Sequence, residues 1–130
     1  MLSYLTVADI IGLHAFIMQK TGYESAPLRD EDGLGSAAMR AQTAAYYEGV
    51  DLIRQAAILA VAISQAQAFV DGNKRTALIA MDVFLRENGT VFTGDDLIVT
   101  EHLIQVAEEI DDRDGATNRF ETWLRNNVRS

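Results

Sequence analysis

Five consecutive residues near the middle of the chain combine side chains that suit an anion. The stretch Asp71-Gly72-Asn73-Lys74-Arg75 lies where a helix is predicted to begin. At a helix N-terminus the first N–H groups lack intrahelical partners and the macrodipole is positive, so a phosphate is favoured there. Lys74 supplies a mobile point charge, and Arg75 supplies a planar fork that suits bidentate phosphate contact. The stretch therefore predicts a phosphate-binding turn.

The residues before this cationic pair fit the same chemistry. Gly72 permits a sharp turn or a close approach of the backbone, and Asn73 can donate its side-chain amide. Asp71 can hold Mg²⁺ against phosphates, because this ion typically takes one or two carboxylates plus phosphate oxygens. The alternative is a routine turn in which Asp71 is a plain N-terminal cap and the two cations are solvated. Local chemistry leaves both interpretations open.

Two helices must position this turn. The run from Val50 to Ala66 is apolar almost all round after Gln55, which predicts a central buried helix. A second helix from about Lys74 is predicted to end at Asn88-Gly89, residue types that tolerate left-handed dihedral angles. The predicted unit is a buried helix, a tight loop and a helix with an inward face formed by Leu78, Met81, Phe84 and Leu85.

The rest of the chain is also predicted to be helical. Thr6 and Asp9 predict a capping box for a first helix that ends at Lys20-Thr21-Gly22. A polar loop is predicted over 23–35, followed by a second, shorter helix within 36–49. Thr93 and Asp96 predict the cap of a later helix. The apolar residues assigned to these helices are Ile10, Leu13, Phe16 and Ile17, then Leu97, Ile98, Ile104, Val106 and Ile110, and finally Phe120, Trp123 and Leu124.

Length, charge and composition limit the classes to which this protein can belong. A chain of 130 residues fits one domain over 1–130. A net charge of −8 disfavours a nonspecific nucleic-acid binder, and no apolar run approaches the roughly 18 residues of a membrane span. The absence of cysteine and of a basic region before the first apolar residues leads us to expect a cytoplasmic protein.

Residues Phe69 to Ala77, FVDGNKRTA, resemble the signature loop of the Fic/Doc superfamily. The family pattern is His-x-Phe-x-Asp/Glu-Gly/Ala-Asn-Gly/Lys-Arg. The lysine after Asn73 and the following Thr-Ala resemble the Doc (death-on-curing) toxin branch, as do the segments PLRDEDGLGSAAMRAQ and FLRENG. This resemblance covers most of the chain. It implies an all-α, compact single-domain fold of five to six helices.

The resemblance also implies a role for each residue of the loop. Asp71 is expected to help hold Mg²⁺, and Asn73 with the loop N–H groups to form an anion hole. Lys74 and Arg75 are expected to bind the phosphates of ATP, with Gly72 in the same nucleotide-binding loop.

Gln67 departs from the family pattern, because it stands where the family has a histidine, two residues before Phe69. That histidine takes the proton from the target hydroxyl, and a glutamine amide is not a useful general base near neutral pH. Loss of a general base typically costs about 10²–10⁴-fold in rate. Three explanations of Gln67 stay open under this resemblance: a natural divergent member, an engineered or selected inactive form, or a homologue that uses another base. His14 and His102 are predicted to be structural or surface residues, with nothing in their spacing that places either near the loop.

The resemblance implies a toxin that phosphorylates a threonine of elongation factor Tu with ATP and so arrests translation. Gln67 is expected to impair this catalysis. One alternative is the AMP transfer typical of Fic enzymes, and another is a catalytically inactive module that binds nucleotide or antitoxin. Lys74 in place of glycine favours the kinase over AMP transfer, whereas Gln67 favours the binding module over both.

The expected partner is an antitoxin of the prevents-host-death type, whose C-terminal segment folds as a helix in a surface groove. Many Fic proteins instead carry an inhibitory Ser/Thr-x-x-x-Glu-Gly/Asn helix, but AAYYEG from Ala44 lacks the hydroxyl residue. The acidic run from Glu108 to Asp114 lacks the pattern of a calcium loop and is predicted to be a solvated helix end.

Overall fold

The computed structural model describes residues 2–21 and 27–130, and within these ranges the chain is mostly helical. The all-α prediction of five to six helices is confirmed. A single 3-10 turn covers Ile110–Asp112, and two short strands pair antiparallel. The elements are α1 (Val7–Lys20), α2 (Glu31–Glu48), α3 (Leu52–Ala66), α4 (Asn73–Glu87), β1 (Val91–Phe92), α5 (Asp96–Glu108), α6 (Arg113–Arg125) and β2 (Val128–Arg129).

Helix α3 lies at the centre and packs against α2, α4, α5 and α6. Nearly every residue from Gln55 to Gln65 is buried, as its all-round apolar sequence predicts. Asp51 caps this helix by accepting the backbone N–H of Arg54. Because α3 is enclosed on several sides, its C-terminus is a rigid base for the loop that leads to α4.

Helix α1 buries a different stripe from the predicted one. The capping box between Thr6 and Asp9 is confirmed. The buried residues are Ile10, His14 and Met18, whereas Phe16 is half exposed. This i, i+4, i+8 stripe faces α4 and the loop before it, so a histidine occupies a position that the apolar pattern had not assigned to the core.

Helix α2 is longer than predicted, because it begins at Glu31 rather than near residue 36. Asp30 caps it by accepting the N–H of Gly33, and Leu34 is fully buried. Residues 31–35 of the predicted loop are therefore the first turns of α2. The predicted helix end at Gly22 and the loop residues 23–26 lie outside the described residues.

Helix α5 is capped by Asp95, which accepts the N–H groups of two residues in the first turn, so the predicted cap at Thr93 and Asp96 is wrong. Thr93 instead donates its backbone N–H to Asn127 beside the strand pair. The helix buries Val99, Leu103 and Val106 and leaves exposed most of the apolar residues predicted for it, namely Leu97, Ile98 and Ile104, as well as Ile110 beyond its end. No helix in the described part of the chain is long and apolar enough to cross a membrane.

Candidate functional site

The loop between α3 and α4 reverses the chain through two left-handed residues. Gln67, directly after α3, has a φ of 50°, and Gly72, directly before α4, has a φ of 83°. Glycine adopts this conformation at no steric cost, whereas glutamine is strained in it. A Cβ on Gly72 would also lie 2.9 Å from the Met18 sulfur and 3.4 Å from the His14 ring. The dihedral angle thus favours glycine at this position, and a larger residue would also have to displace the Met18 side chain.

The Asn73 side chain stabilises the loop through hydrogen bonds to its backbone. Its side chain donates to the Phe69 carbonyl at 2.8 Å and accepts the Phe69 N–H at 3.0 Å. The side chain is buried, and its remaining amide hydrogen faces the side-chain oxygen of Gln67 at 3.4 Å. The side-chain amide of Asn73 is therefore committed to the loop. What this residue offers an anion is its backbone N–H at the start of α4.

The segment before α2 pairs with the outer edge of the loop. The Arg29 and Asp30 N–H groups both donate to the Ala68 carbonyl, and the Val70 N–H donates to the Pro27 carbonyl. The Arg29 guanidinium donates to the Gln67 carbonyl from Nε at 3.1 Å and from Nη2 at 2.9 Å. These contacts tie the PLRD residues of the sequence directly to the candidate site.

His14 of α1 contacts and supports the loop, although its position in the sequence did not predict this contact. Its ring stacks on Phe69 with centroids 3.7 Å apart and planes 8° from parallel. Its Nε2 lies 2.8 Å from the Asp71 carbonyl, so Nε2 carries the hydrogen and donates it. His14 is buried and structural, as predicted, but it contacts the site. His102 packs against Trp123 and Phe120 in a separate aromatic cluster.

The N-terminus of α4 differs from that of every other described α-helix, because no side chain caps it. Each of the others has an aspartate or threonine oxygen that accepts a first-turn N–H. Lys74 and Arg75 lie in this uncapped first turn, and neither forms an ion pair with a described residue. The unmatched N–H groups and the two cations add to the positive end of the helix dipole. This end of α4 therefore has the positive charge and the N–H donors that suit an anion.

A cleft of about 510 Å³ opens at this helix end, within the range typical of ligand sites. Asp71 supplies the one carboxylate among its described lining residues, and one oxygen of that carboxylate accepts the Gly72 N–H. The described residues contain no group of three or more possible metal ligands. The cleft fits Mg²⁺ only together with phosphates, since Asp71 alone is an incomplete set of ligands. Its lining residues are Met18, Thr21, Gln67, Val70, Asp71, Gly72, Asn73, Lys74, Arg75 and Thr100.

Gln67 also lines this cleft, at the position expected for the general base. Its side chain donates to the Ser64 carbonyl at 2.8 Å and faces Asn73. The amide is therefore held by its own helix end and by the loop. All the residues assigned to the site from sequence lie around one cleft, namely Gln67, Asp71, Gly72, Asn73, Lys74 and Arg75.

Comparison with known protein families bears on this site directly. The Fic/DOC family model matches residues 4–85, more than half of the chain. The chain belongs to the Fic/DOC family. The match spans α1 to α4 and thus contains the loop, the helix end and the supporting histidine. Comparison with curated proteins finds no significant match.

Proposed function

We propose that this Fic/DOC protein is a Doc-type toxin scaffold. In this proposal it binds ATP with Mg²⁺ at the start of α4 and directs the γ-phosphate to a threonine of elongation factor Tu. The uncapped N-terminus of α4, with Lys74 and Arg75 in its first turn, is the observation on which the proposal depends. Members of this family are often transferases. Lysine after Asn73 favours phosphate transfer over the AMP transfer of Fic enzymes.

Each residue of the cleft has a part in this proposal. The backbone N–H groups of α4 and the side chains of Lys74 and Arg75 bind and orient the phosphates. Asp71 would help to hold Mg²⁺ against those phosphates; ATP would supply the phosphoryl group, and the metal would neutralise the charge that develops during transfer. Asn73, by fixing Phe69, keeps the loop in the conformation that leaves the N–H groups accessible.

Gln67 limits the chemistry that this cleft can perform. Its amide cannot take the proton of a threonine hydroxyl near neutral pH, so the expected deficit is about 10²–10⁴-fold in rate. His14 does not replace it, because its Nε2 donates to the Asp71 carbonyl and the residue is absent from the cleft lining. We expect transfer by the unchanged chain to be slow or undetectable.

The engaged amide of Gln67 favours a second candidate function, a catalytically inactive module that binds nucleotide or antitoxin. For both candidate functions, the proposed partner is an antitoxin of the prevents-host-death type, which forms a protein complex with this chain. Nucleotide binding without transfer is the property that distinguishes this candidate from the kinase.

A labelling experiment with Gln67→His tests the function. Elongation factor Tu is incubated with ATP labelled in either the α- or the γ-phosphate, together with the unchanged chain, Gln67→His or Gln67→Ala. We expect Gln67→His to transfer γ-label at least about 100-fold faster than the other two, because histidine restores the general base. Histidine also tolerates the left-handed dihedral angle of this position.

The other outcomes separate the alternatives. Transfer of α-label would identify AMP transfer. No transfer by Gln67→His, although ATP binding persists, would contradict the kinase and leave the binding module as the function.

A further inference from the structure

A second cleft, of about 420 Å³, lies between α2, α3 and α6 and shares no lining residue with the loop cleft. Its lining includes the apolar residues Met39, Val50 and Ile58. Three arginines also line it, although the chain as a whole carries a net charge of −8. A cleft of this size that is lined by apolar residues and a few charged groups is typical of a small-ligand site.

The three arginines of this second cleft differ in whether a carboxylate neutralises their charge, since only Arg54 forms an ion pair with a described residue. Arg54 is engaged, since its Nη1 donates to Asn118 at 2.6 Å and to Glu121 at 2.9 Å. Arg113 uses only Nε, which donates to Gln65 Oε1 at 2.8 Å. The Arg40 side chain forms neither a hydrogen bond nor an ion pair with any described residue. Arg40 and Arg113 thus keep donors for a ligand.

Arg113 is held in place by a buried hydrogen-bond network. Gln65 is buried, and its amide nitrogen donates to the Val106 carbonyl at 2.9 Å and the Glu109 carbonyl at 3.1 Å. The opposite end of that amide accepts the Arg113 Nε–H. Because both ends of the amide are fixed, the Arg113 guanidinium has a fixed orientation before any ligand arrives. Such preorganisation lowers the entropy lost on binding.

The position of Arg40 in this cleft disfavours its positive charge. Partial burial and, to a smaller extent, the positive charge of Arg113 lower the pKa of Arg40. Two carboxylates line the cleft, Glu48 and Asp114, but neither forms an ion pair with an arginine there. An anionic group between Arg40 and Arg113 would remove this repulsion and use their free donors.

We propose that this second cleft binds a small organic anion with one phosphate or carboxylate group and a short apolar body. The anionic group contacts Arg40 and Arg113, and the apolar body lies against Met39, Val50 and Ile58. The single anionic group suits the two carboxylates of the lining, which disfavour a ligand with several negative charges. This site is independent of the proposed nucleotide site.

Calorimetric titration with phenyl phosphate and with 3-phenylpropionate tests the proposal, and benzyl alcohol serves as the uncharged control. We expect at least one of the two anions to bind and the alcohol not to bind. Arg40→Gln should weaken that binding by at least about tenfold, because it removes hydrogen bonds to a charged group. Arg40 makes no contact that the fold requires, so this variant should keep the circular dichroism spectrum and melting temperature of the unchanged chain.

Two further variants separate this site from the loop. Arg86→Gln changes an exposed arginine of α4 that lines neither cleft, and it should bind the anions like the unchanged chain. Arg75→Gln alters only the loop site, so the binding that is sensitive to Arg40 should persist in it. If the chain does not bind nucleotide at the loop but Arg40→Gln still weakens anion binding, the second site is supported and the proposed function is not.

Nuclear magnetic resonance supplies a readout that needs no variant. The Nε–H resonance of Arg113, which is fixed by Gln65, should shift saturably with the anion that binds and not with benzyl alcohol. An unmoved Arg113 resonance, or equal affinity in Arg40→Gln and the unchanged chain, would overturn the proposal.

Discussion

Single residues of the loop have roles that their types alone do not reveal. Asn73 stands where a donor to phosphate was predicted, yet its side chain is committed to the Phe69 backbone. His14 stacks on Phe69 and donates to the Asp71 carbonyl, and so supports the loop from α1. Arg29 does the same from the opposite edge through the Gln67 carbonyl. The cleft residues are therefore held by neighbours whose contribution is positional.

Gly72 is the residue at which substitution should disturb the loop most directly. Gly72→Ala meets both a φ of 83° and a Cβ position 2.9 Å from the Met18 sulfur. Gly89→Ala is the matched control, because its φ is 88° but no heavy atom lies within 4 Å of the added Cβ. We expect both variants to lose about 1 kcal/mol of unfolding free energy from backbone strain, and Gly72→Ala to lose about 1–2 kcal/mol more from crowding.

Urea denaturation of the two glycine variants measures this difference. Equal losses in Gly72→Ala and Gly89→Ala would mean that Met18 and His14 yield without cost, and that the loop is not tightly supported from α1.

At the scale of the elements, the helix N-termini separate into two kinds. Side-chain oxygens cap, and so close, the N-termini of α1, α2, α3, α5 and α6. No described side chain caps the N-terminus of α4, which is open in this sense. Closure of an N-terminus typically contributes about 1 kcal/mol to stability. An open end with two cations in its first turn therefore lowers stability in the free protein, and a bound anion would offset that loss.

Asp51 shows what a closed end contributes, and its charge makes the contribution depend on pH. It caps α3 and binds Arg125 of α6 through both carboxylate oxygens at 2.9 Å. Burial alone would raise the pKa of Asp51, but the Arg54 N–H and the hydrogen bond and charge of Arg125 outweigh this and lower it. A lowered pKa stabilises the fold above the unfolded value of about 3.9, and this stabilisation is lost as the pH falls through the folded pKa.

Asp51→Asn tests this linkage, since asparagine keeps the cap but not the charge. We expect the variant to be less stable than the unchanged chain at pH 7, and the difference to shrink as the pH falls through the lowered folded pKa of Asp51. Asp95→Asn is the control, because Asp95 caps α5 without an ion pair to a described residue. A difference for Asp51→Asn that is independent of pH would show that the pair with Arg125 contributes nothing.

The sequence predicted the central unit of the fold because its signals are local. The apolar run of α3, the glycine of the turn and the cationic pair each lie within a few residues of one another. The support from α1 could not be predicted, since a lone His14 beside an apolar stripe does not reveal a partner at Asp71, 57 residues away. The start of α2 was missed because Glu31 to Gly35 are polar or glycine apart from Leu34, and a single apolar residue defines no helical period although it is buried in the structure.

For the whole molecule, the distribution of positive charge is more informative than its total. Many arginines of this acidic chain are paired, as in Arg54 with Glu121 and Arg125 with Asp51. Cations without an ion-pair partner among the described residues line both clefts, namely Lys74 and Arg75 in one and Arg40 and Arg113 in the other. Because the two clefts have no residue in common, substitutions in one should leave binding in the other unchanged.

The affinity for ATP with Mg²⁺ tests most directly the central claim that the open end of α4 binds phosphate. Calorimetric titration compares the unchanged chain with Arg75→Ala, and with Arg86→Ala as a control for the loss of an exposed arginine from the same helix. We predict that Arg75→Ala binds about 10- to 100-fold more weakly, because it removes charge-assisted hydrogen bonds, and that Arg86→Ala binds like the unchanged chain. Equal affinity of Arg75→Ala and the unchanged chain would contradict the claim.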